Sequence, residues 1–197
     1  MVYVVHPTGE LFLPGVISGD MYKKRVLAIP GSIRQGSSNH RLLQVIAGLM
    51  SDRLEITIYT GLAGLPHFDP GISEEAVSAS VIDFRQQLQE ADGVIICTPE
   101  YAHGVPGSLK NAIDWTVSSC DFSGKPTVLI TASTDGRYGH QALLETLRVI
   151  EARDVDQLQL LIPFIRAKMN NQSGGLEEKT LAEVSTLMEI FVKKLCD

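Results

Sequence analysis

The stretch Gly31-Ser32-Ile33-Arg34-Gln35-Gly36-Ser37-Ser38-Asn39 follows a short apolar run, Arg25-Val26-Leu27-Ala28-Ile29-Pro30, and leads into a helical pattern that begins near Asn39. Strand, small-residue turn and helix, in that order, set a helix N-terminus over the end of a strand. Unpaired backbone N–H groups and the positive end of the helix dipole then converge on one spot that favours an anion. Around it stand the hydroxyls of Ser32, Ser37 and Ser38, the amide of Asn39 and the guanidinium of Arg34. Gly31 and Gly36 permit a tight turn and close approach of the backbone. A terminal phosphate wants several N–H and O–H donors plus a planar fork, and both are here. The plain alternative is a Ser- or Asn-capped turn with a solvated Arg. The stretch is neither a Walker A loop, since no Gly-Lys-Ser/Thr follows at the right spacing, nor Gly-x-Gly-x-x-Gly.

Downstream, Leu42, Leu43, Ile46, Leu49 and Met50 form a helical stripe, and Leu54–Tyr59 alternates with period two as a second strand. Thr60–Ile72 reads as a loop, after which Ser73 opens a helix with Glu74 and Glu75 in its first turn and Val77, Val81, Phe84 and Leu88 on one face. Gly93–Cys97 is a continuous apolar run, the mark of a strand buried on both faces. Pro106 is placed to open the next helix, Pro126–Ala132 is a fourth strand, Gln141–Glu151 a helix and Val155–Ile162 a fifth strand. A last helix carries Leu176, Thr180, Val184, Leu187, Phe191 and Leu195. Strands alternating with helices predict an α/β fold: a parallel sheet, right-handed crossovers and helices on both faces. The loops after the first, third and fourth strands then gather at the carboxyl edge, where such sheets bind ligands.

Composition narrows the function. The 197 residues are 44% hydrophobic and 20% charged, with a net charge of −6. That suits one globular domain. Basic runs are limited to Lys23-Lys24-Arg25 and Lys193-Lys194, which argues against nucleic acid as a partner. No apolar stretch approaches a membrane span. Cys97, Cys120 and Cys196 are widely separated, which suits a reducing cytoplasm and provides no metal site. Residues 1–20 differ in character and are read as an N-terminal extension to a domain of residues 21–197, with Met21 as a candidate natural start.

The loop after the third strand reads Thr98-Pro99-Glu100-Tyr101-Ala102-His103-Gly104-Val105-Pro106-Gly107-Ser108-Leu109-Lys110-Asn111-Ala112-Ile113-Asp114-Trp115. Together with the Gly-Ser-x-Arg-x-x-Ser-x-Asn stretch, it resembles the NAD(P)H-dependent FMN reductases, a family that includes quinone, azo-dye and chromate reductases. Leu65-Pro66-His67-Phe68-Asp69 and Gly124-Lys125-Pro126 also match, and the resemblance runs from about Lys24 to the end. It implies a flavodoxin-like fold with five parallel strands in the order 2-1-3-4-5, bound FMN, NAD(P)H as co-substrate, and a homodimer or homotetramer.

Carried over residue by residue, the resemblance places the FMN phosphate on Ser32, Arg34, Ser37, Ser38 and Asn39, and the ring against Pro99, Glu100, Tyr101 and Ala102. Ser133 matches a further cofactor contact, with Gly136 and Gly139 leaving room for the ring. Hydride would pass from the nicotinamide through FMN to a quinone, flavin, azo compound or metal oxyanion by a ping-pong scheme, with no catalytic side chain required. The chain departs from the family at Ala102, often Asn there, and at Asp135, Arg137 and Tyr138-Gly139, where a Gly-Gly pair is frequent. Rival readings are an FMN-binding electron carrier or a redox-sensing binding protein. A receiver-type signalling domain is disfavoured because Pro30 and Thr98 stand where it needs acidic residues. Of the remaining candidates, His103 reads as a solvated loop residue, Lys110 and Asp114 as an i, i+4 ion pair, Trp115 as core or subunit contact and Cys97 as packing.

Overall fold

Along the strand that precedes the first loop, Leu27 and Ile29 enter one apolar cluster while Val26 and Ala28 enter another, and all four are buried. This period-two division is what a strand covered on both sides requires. The computed structural model describes residues 4–5, 11–12, 23–169 and 175–197. Five parallel strands, β3 (Lys24–Pro30), β4 (Leu54–Ile58), β5 (Gly93–Thr98), β6 (Thr127–Ser133) and β7 (Gln159–Pro163), stand in the order β4-β3-β5-β6-β7. That is the 2-1-3-4-5 order of a flavodoxin-like fold. Ahead of this sheet, β1 (Val4–Val5) pairs antiparallel with β2 (Leu11–Phe12); the candidate start at Met21 lies outside the described residues.

Topology dictates the layers. The chain moves one way from β3 to β4 and the other way through β5, β6 and β7, so right-handed crossovers deposit helices on opposite faces. α1 (Ser38–Leu49) and α6 (Glu178–Lys194) cover one face through Leu42, Leu43, Ile46, Val184, Met188 and Phe191. α2 (Ala79–Glu90), α3 (Gly107–Asp114) and α4 (Arg137–Val149) cover the other through Phe84, Leu88, Leu109, Ile113, Leu143 and Leu147. Each fully buried Leu, Ile or Phe contributes roughly 1.5–3 kcal/mol, so these stripes outweigh local propensities of a few tenths of a kcal/mol per residue. The strand order reverses between β3 and β5, which opens a crevice at their carboxyl ends. No helix among the described residues is long and apolar enough to cross a membrane.

Three element boundaries differ most from the sequence reading. The helix expected from Ser73 breaks in two: a 3-10 turn at Glu74–Ala76, extended backbone at Val77, then α2 from Ala79. Val77 is buried in the core, and Arg85 on α2 holds the turn by donating from Nη1 to Glu74 Oε2 at 2.9 Å. α4 starts at Arg137 rather than Gln141 because Gly136, at φ 96°, lets the chain enter the helix directly from the strand end. β7 starts at Gln159 rather than Val155: Asp154 sits at φ 62°, and its carbonyl accepts from the N–H groups of Gln157 and Leu158, both at 3.0 Å. Val155 and Leu158 are buried all the same, so the apolar run is a packed turn that mimics a strand.

Candidate functional site

The first loop leaves β3 at Pro30, and the N–H of Gly31 donates to Cys97 O at 2.8 Å, fixing it against β5. Ser37 is the cap of α1, its Oγ accepting from the N–H of His40 at 3.2 Å. The first-turn N–H groups of Ser38 and Asn39 have no intrahelical acceptor and end at the crevice. Asn39 is 4% exposed; with its amide nitrogen toward the strand ends it donates to Thr98 O at 3.1 Å and Ala132 O at 3.3 Å. Its side chain thus braces α1 against β5 and β6, leaving its backbone N–H for a ligand. Ser32 is also nearly buried, and its Oγ accepts from the N–H of Arg34 at 3.3 Å. Arg34 itself is exposed at the rim.

The second and third loops are strapped together. The N–H of Glu100 donates to Ser133 Oγ at 3.1 Å, and Glu100 Oε2 accepts from the N–H of Gly139 at 2.7 Å. Glu100 therefore satisfies a first-turn N–H of α4 with a carboxylate, an arrangement the helix dipole favours. A Cβ at Gly139 would lie 2.6 Å from Gly104 O, so the space at this glycine is filled by the second loop. At Gly136 the corresponding space is filled by Leu161, Thr131 and Ser133. The room expected for a ring at these two positions is occupied by the protein's own packing.

Beyond Glu100 the chain makes a closed turn: Tyr101 and Gly104 exchange both backbone hydrogen bonds at 2.9 Å, with Ala102 at φ 48° and His103 at φ 60°. Left-handed backbone at a non-glycine residue costs about 1–2 kcal/mol, and such strain clusters at ligand sites. The Asn frequent in the family at Ala102 tolerates this conformation better. His103 stacks on Tyr138 with ring centroids 4.2 Å apart, which ties the turn to α4. Arg137 forms a two-point pair with Asp135, Nε–Oδ1 and Nη2–Oδ2 both 2.9 Å. The guanidinium holds the Asp135 carboxyl below its usual pKa.

A fourth wall was missing from the sequence reading. After β7, Phe164 adopts φ 55°, donates its N–H to Thr134 O at 3.1 Å and accepts from the N–H of Ala167 at 2.9 Å, starting the short helix α5 (Ile165–Lys168). Ile165 turns into the core while Phe164 stays 63% exposed. The pocket of about 470 Å³ that results is lined by Ser32, Arg34, Ser37, Ser38, Asn39, Pro99, Glu100, Tyr101 and Ser133, nine of the ten expected residues, with Ala132, Thr134, Phe164, Ile165, Arg166 and Ala167. Ala102 stands just outside, at the tip of the turn. The cue for the fourth wall was the topology itself: in a parallel sheet the loop after the fifth strand reaches the same edge.

The other candidates lie outside the pocket lining. Cys97 is fully buried, and burial pushes its thiol well above the ordinary range. Lys110 pairs with Asp114 at 2.5 Å. Trp115 is buried, donating from Nε1 to Pro66 O at 2.8 Å and meeting Phe68 edge-on at 5.1 Å. Asn111 completes that contact, donating to Pro66 O at 2.9 Å and accepting from the N–H of Phe68 at 2.7 Å, so Leu65–Asp69 docks on α3. A larger hollow of about 580 Å³ lies between α3 and α4, lined by residues such as Ile113, Val117, Phe122 and Val149. Its side-chain donors are already engaged within the protein, Lys110 on Asp114, Thr116 on Ile113 O, Ser123 on Glu151 and Thr146 on Ala142 O, so we place the site in the smaller pocket.

An anion cradle at the first helix and a strapped wall opposite it, at the carboxyl edge of a flavodoxin-like sheet, make a pocket suited to a ligand that carries a phosphate. The cavity falls within the roughly 300–1,000 Å³ usual for cofactor pockets, and its unpaired helix N–H groups suit a phosphate. The NADPH-dependent FMN reductase family matches residues 24–166. A quinone reductase of Escherichia coli K12 is 32% identical over 177 residues, covering 86% of this chain and 94% of its own length. An NAD(P)H-dependent FMN reductase of Pseudomonas aeruginosa is 29% identical over 180 residues, covering 87% and 96%. Among solved structures, the flavoenzyme NAD(P)H:(acceptor) oxidoreductase of Paracoccus denitrificans superposes with a TM-score of 0.70 at 23% identity, covering 87% of this chain and 97% of that one. The chain belongs to the NADPH-dependent FMN reductase family. It is an oxidoreductase of that class, using FMN and a nicotinamide nucleotide.

Proposed function

We propose that this enzyme oxidises NAD(P)H and reduces a small acceptor, a quinone, flavin, azo compound or metal oxyanion, through FMN held in the pocket at the strand ends. The observation that carries the reading is the convergence of the α1 first-turn N–H groups and Arg34 on one side of a cavity whose other side is the strapped Glu100–Gly139 wall. FMN held there would supply the redox chemistry that links the nicotinamide to the acceptor, the two substrates reacting in ping-pong order.

The chain's own residues bind and orient. Ser38 and Asn39 offer backbone N–H groups, Ser32, Ser37 and Ser38 hydroxyls, and Arg34 a guanidinium to the phosphate. Pro99, Glu100, Tyr101 and Ser133 hold the ring side, with Ala102 at its tip. The strap keeps that wall fixed, and backbone N–H groups in the loops stabilise negative charge gathering beside it. No catalytic side chain is assigned. Residues 21–197 serve as the FMN-binding unit with residues 1–20 as an extension, in a homodimer or homotetramer in the reducing cytoplasm; light scattering on the FMN-loaded protein tests the assembly.

The test is direct: purified protein turns yellow with FMN and then oxidises NADH or NADPH only when a quinone is added. Colour without turnover would instead indicate the electron-carrier or redox-sensor reading, which Arg34 and the modest charge of −6 disfavour.

A further inference from the structure

Beyond the residues assigned above, we infer that Arg166 is a second guanidinium on the flavin phosphate, acting opposite Arg34 and making the pocket selective for FMN over riboflavin. The inference rests on the FMN reading and extends it to a wall that the family motifs do not include. Two guanidiniums, Arg34 and Arg166, line the pocket against a single carboxylate, Glu100, and that carboxylate already accepts from the N–H of Gly139. The lining is therefore cationic within a chain of net charge −6. A phosphate carries nearly two negative charges, which one guanidinium leaves half compensated.

The fold says which end of the ligand Arg166 serves. Ile165 and Met169, on either side of it in sequence, pack in the same cluster as Leu42, Leu43 and Ile46 of α1. α5 thus lies on the α1 side of the sheet, beside the helix N-terminus that makes the phosphate cradle. The ring wall belongs to the opposite side: Glu100 is anchored to the start of α4, whose Leu143 and Leu147 pack in the other cluster. The turn at Phe164 sends Ile165 inward and leaves Arg166 on the pocket lining. Its position after β7 explains why the two Gly/Ser/Pro-rich motifs give no hint of it.

Calorimetric titration of the full chain with FMN and, separately, with riboflavin tests this, comparing wild type with Arg166→Ala and Arg166→Gln. The expected result is an FMN Kd raised about 10- to 100-fold in both variants and a riboflavin Kd within about twofold of wild type. Arg166→Lys, which keeps charge but loses the fork, should fall between. Equal weakening of both flavins, or no change in either, overturns the inference by showing that Arg166 acts on the ring or on nothing. Wild-type protein that fails to bind FMN overturns the FMN reading itself and this inference with it. Arg166 is exposed, so melting temperatures should be unchanged; if Arg166→Ala fails to fold, Arg166→Gln carries the comparison.

Discussion

Gly139→Ala is the sharpest probe of the strapped wall. The added Cβ would lie 2.6 Å from Gly104 O and 3.1–3.2 Å from Glu100 Cγ and Cβ, where ordinary contact begins at 3.4 Å. The nearest obstacle is backbone, so it cannot rotate away. Either the second loop or the first turn of α4 must retreat, and the 2.7 Å hydrogen bond from the Gly139 N–H to Glu100 stretches with it. Overpacking of this kind costs about 1–3 kcal/mol, and a weakened bond to a charged acceptor adds to it. Glu100 and Tyr101 line the pocket, so the displacement should reach the flavin. We expect FMN affinity, read by quenching of flavin fluorescence, to fall about 5- to 50-fold, roughly 1–2.3 kcal/mol, and the melting temperature to drop. An FMN Kd within twofold of wild type together with an unchanged melting temperature would refute the claim that this contact fixes the wall. Glu100→Gln, which keeps an acceptor, should be milder than Glu100→Ala.

Three further outcomes are expected. Arg34→Ala should weaken FMN binding by about 1–3 kcal/mol, since one charge-assisted contact is lost and the helix N–H groups remain; an unchanged Kd by fluorescence would show that Arg34 points elsewhere. His103→Ala should leave kcat within about tenfold, because its ring stacks on Tyr138 and needs no proton role; a loss of 10²-fold or more in steady-state assays would indicate acid–base catalysis. Burial pushes the Tyr59 hydroxyl from 10.0 up to about 12. The folded state then holds that proton more tightly than the unfolded chain, so its contribution is complete below pH 10 and is lost between about pH 10 and pH 12. Melting curves across that range should flatten in Tyr59→Phe, and an identical alkaline loss in both proteins would remove Tyr59 as the cause.

The alternation of periodic segments carried the architecture, because a parallel sheet leaves few ways to bury Gly93–Thr98 on both faces. Nine pocket residues were also legible, eight of them from two motifs and Ser133 from its match in the loop after the fourth strand. Hidden from the sequence were features set by backbone conformation or distant pairing. Asp154 in a left-handed conformation turned an apparent strand into a packed turn. Glu100, read as a ring contact, has its carboxylate on Gly139 of the adjoining loop. Phe164 and Arg166 follow a strand whose loop carries no Gly/Ser motif, so only three-dimensional adjacency brings them to the site. Trp115 needed its partner in Pro66 before core and interface could be told apart.

The union of Glu100, Ser133, Gly104 and Gly139 has a consequence for how acceptor range can diverge among such enzymes. Two segments interlocked at their bases cannot change length independently, because an insertion at either root would unseat both. Variation is free only at the outermost positions, Ala102 and His103 on one side and Asp135, Arg137 and Tyr138 on the other. The departures that the sequence resemblance points to, Ala102, Asp135, Arg137 and Tyr138, all lie at these tips, so new chemistry can be tried there while the anchorage beneath stays untouched.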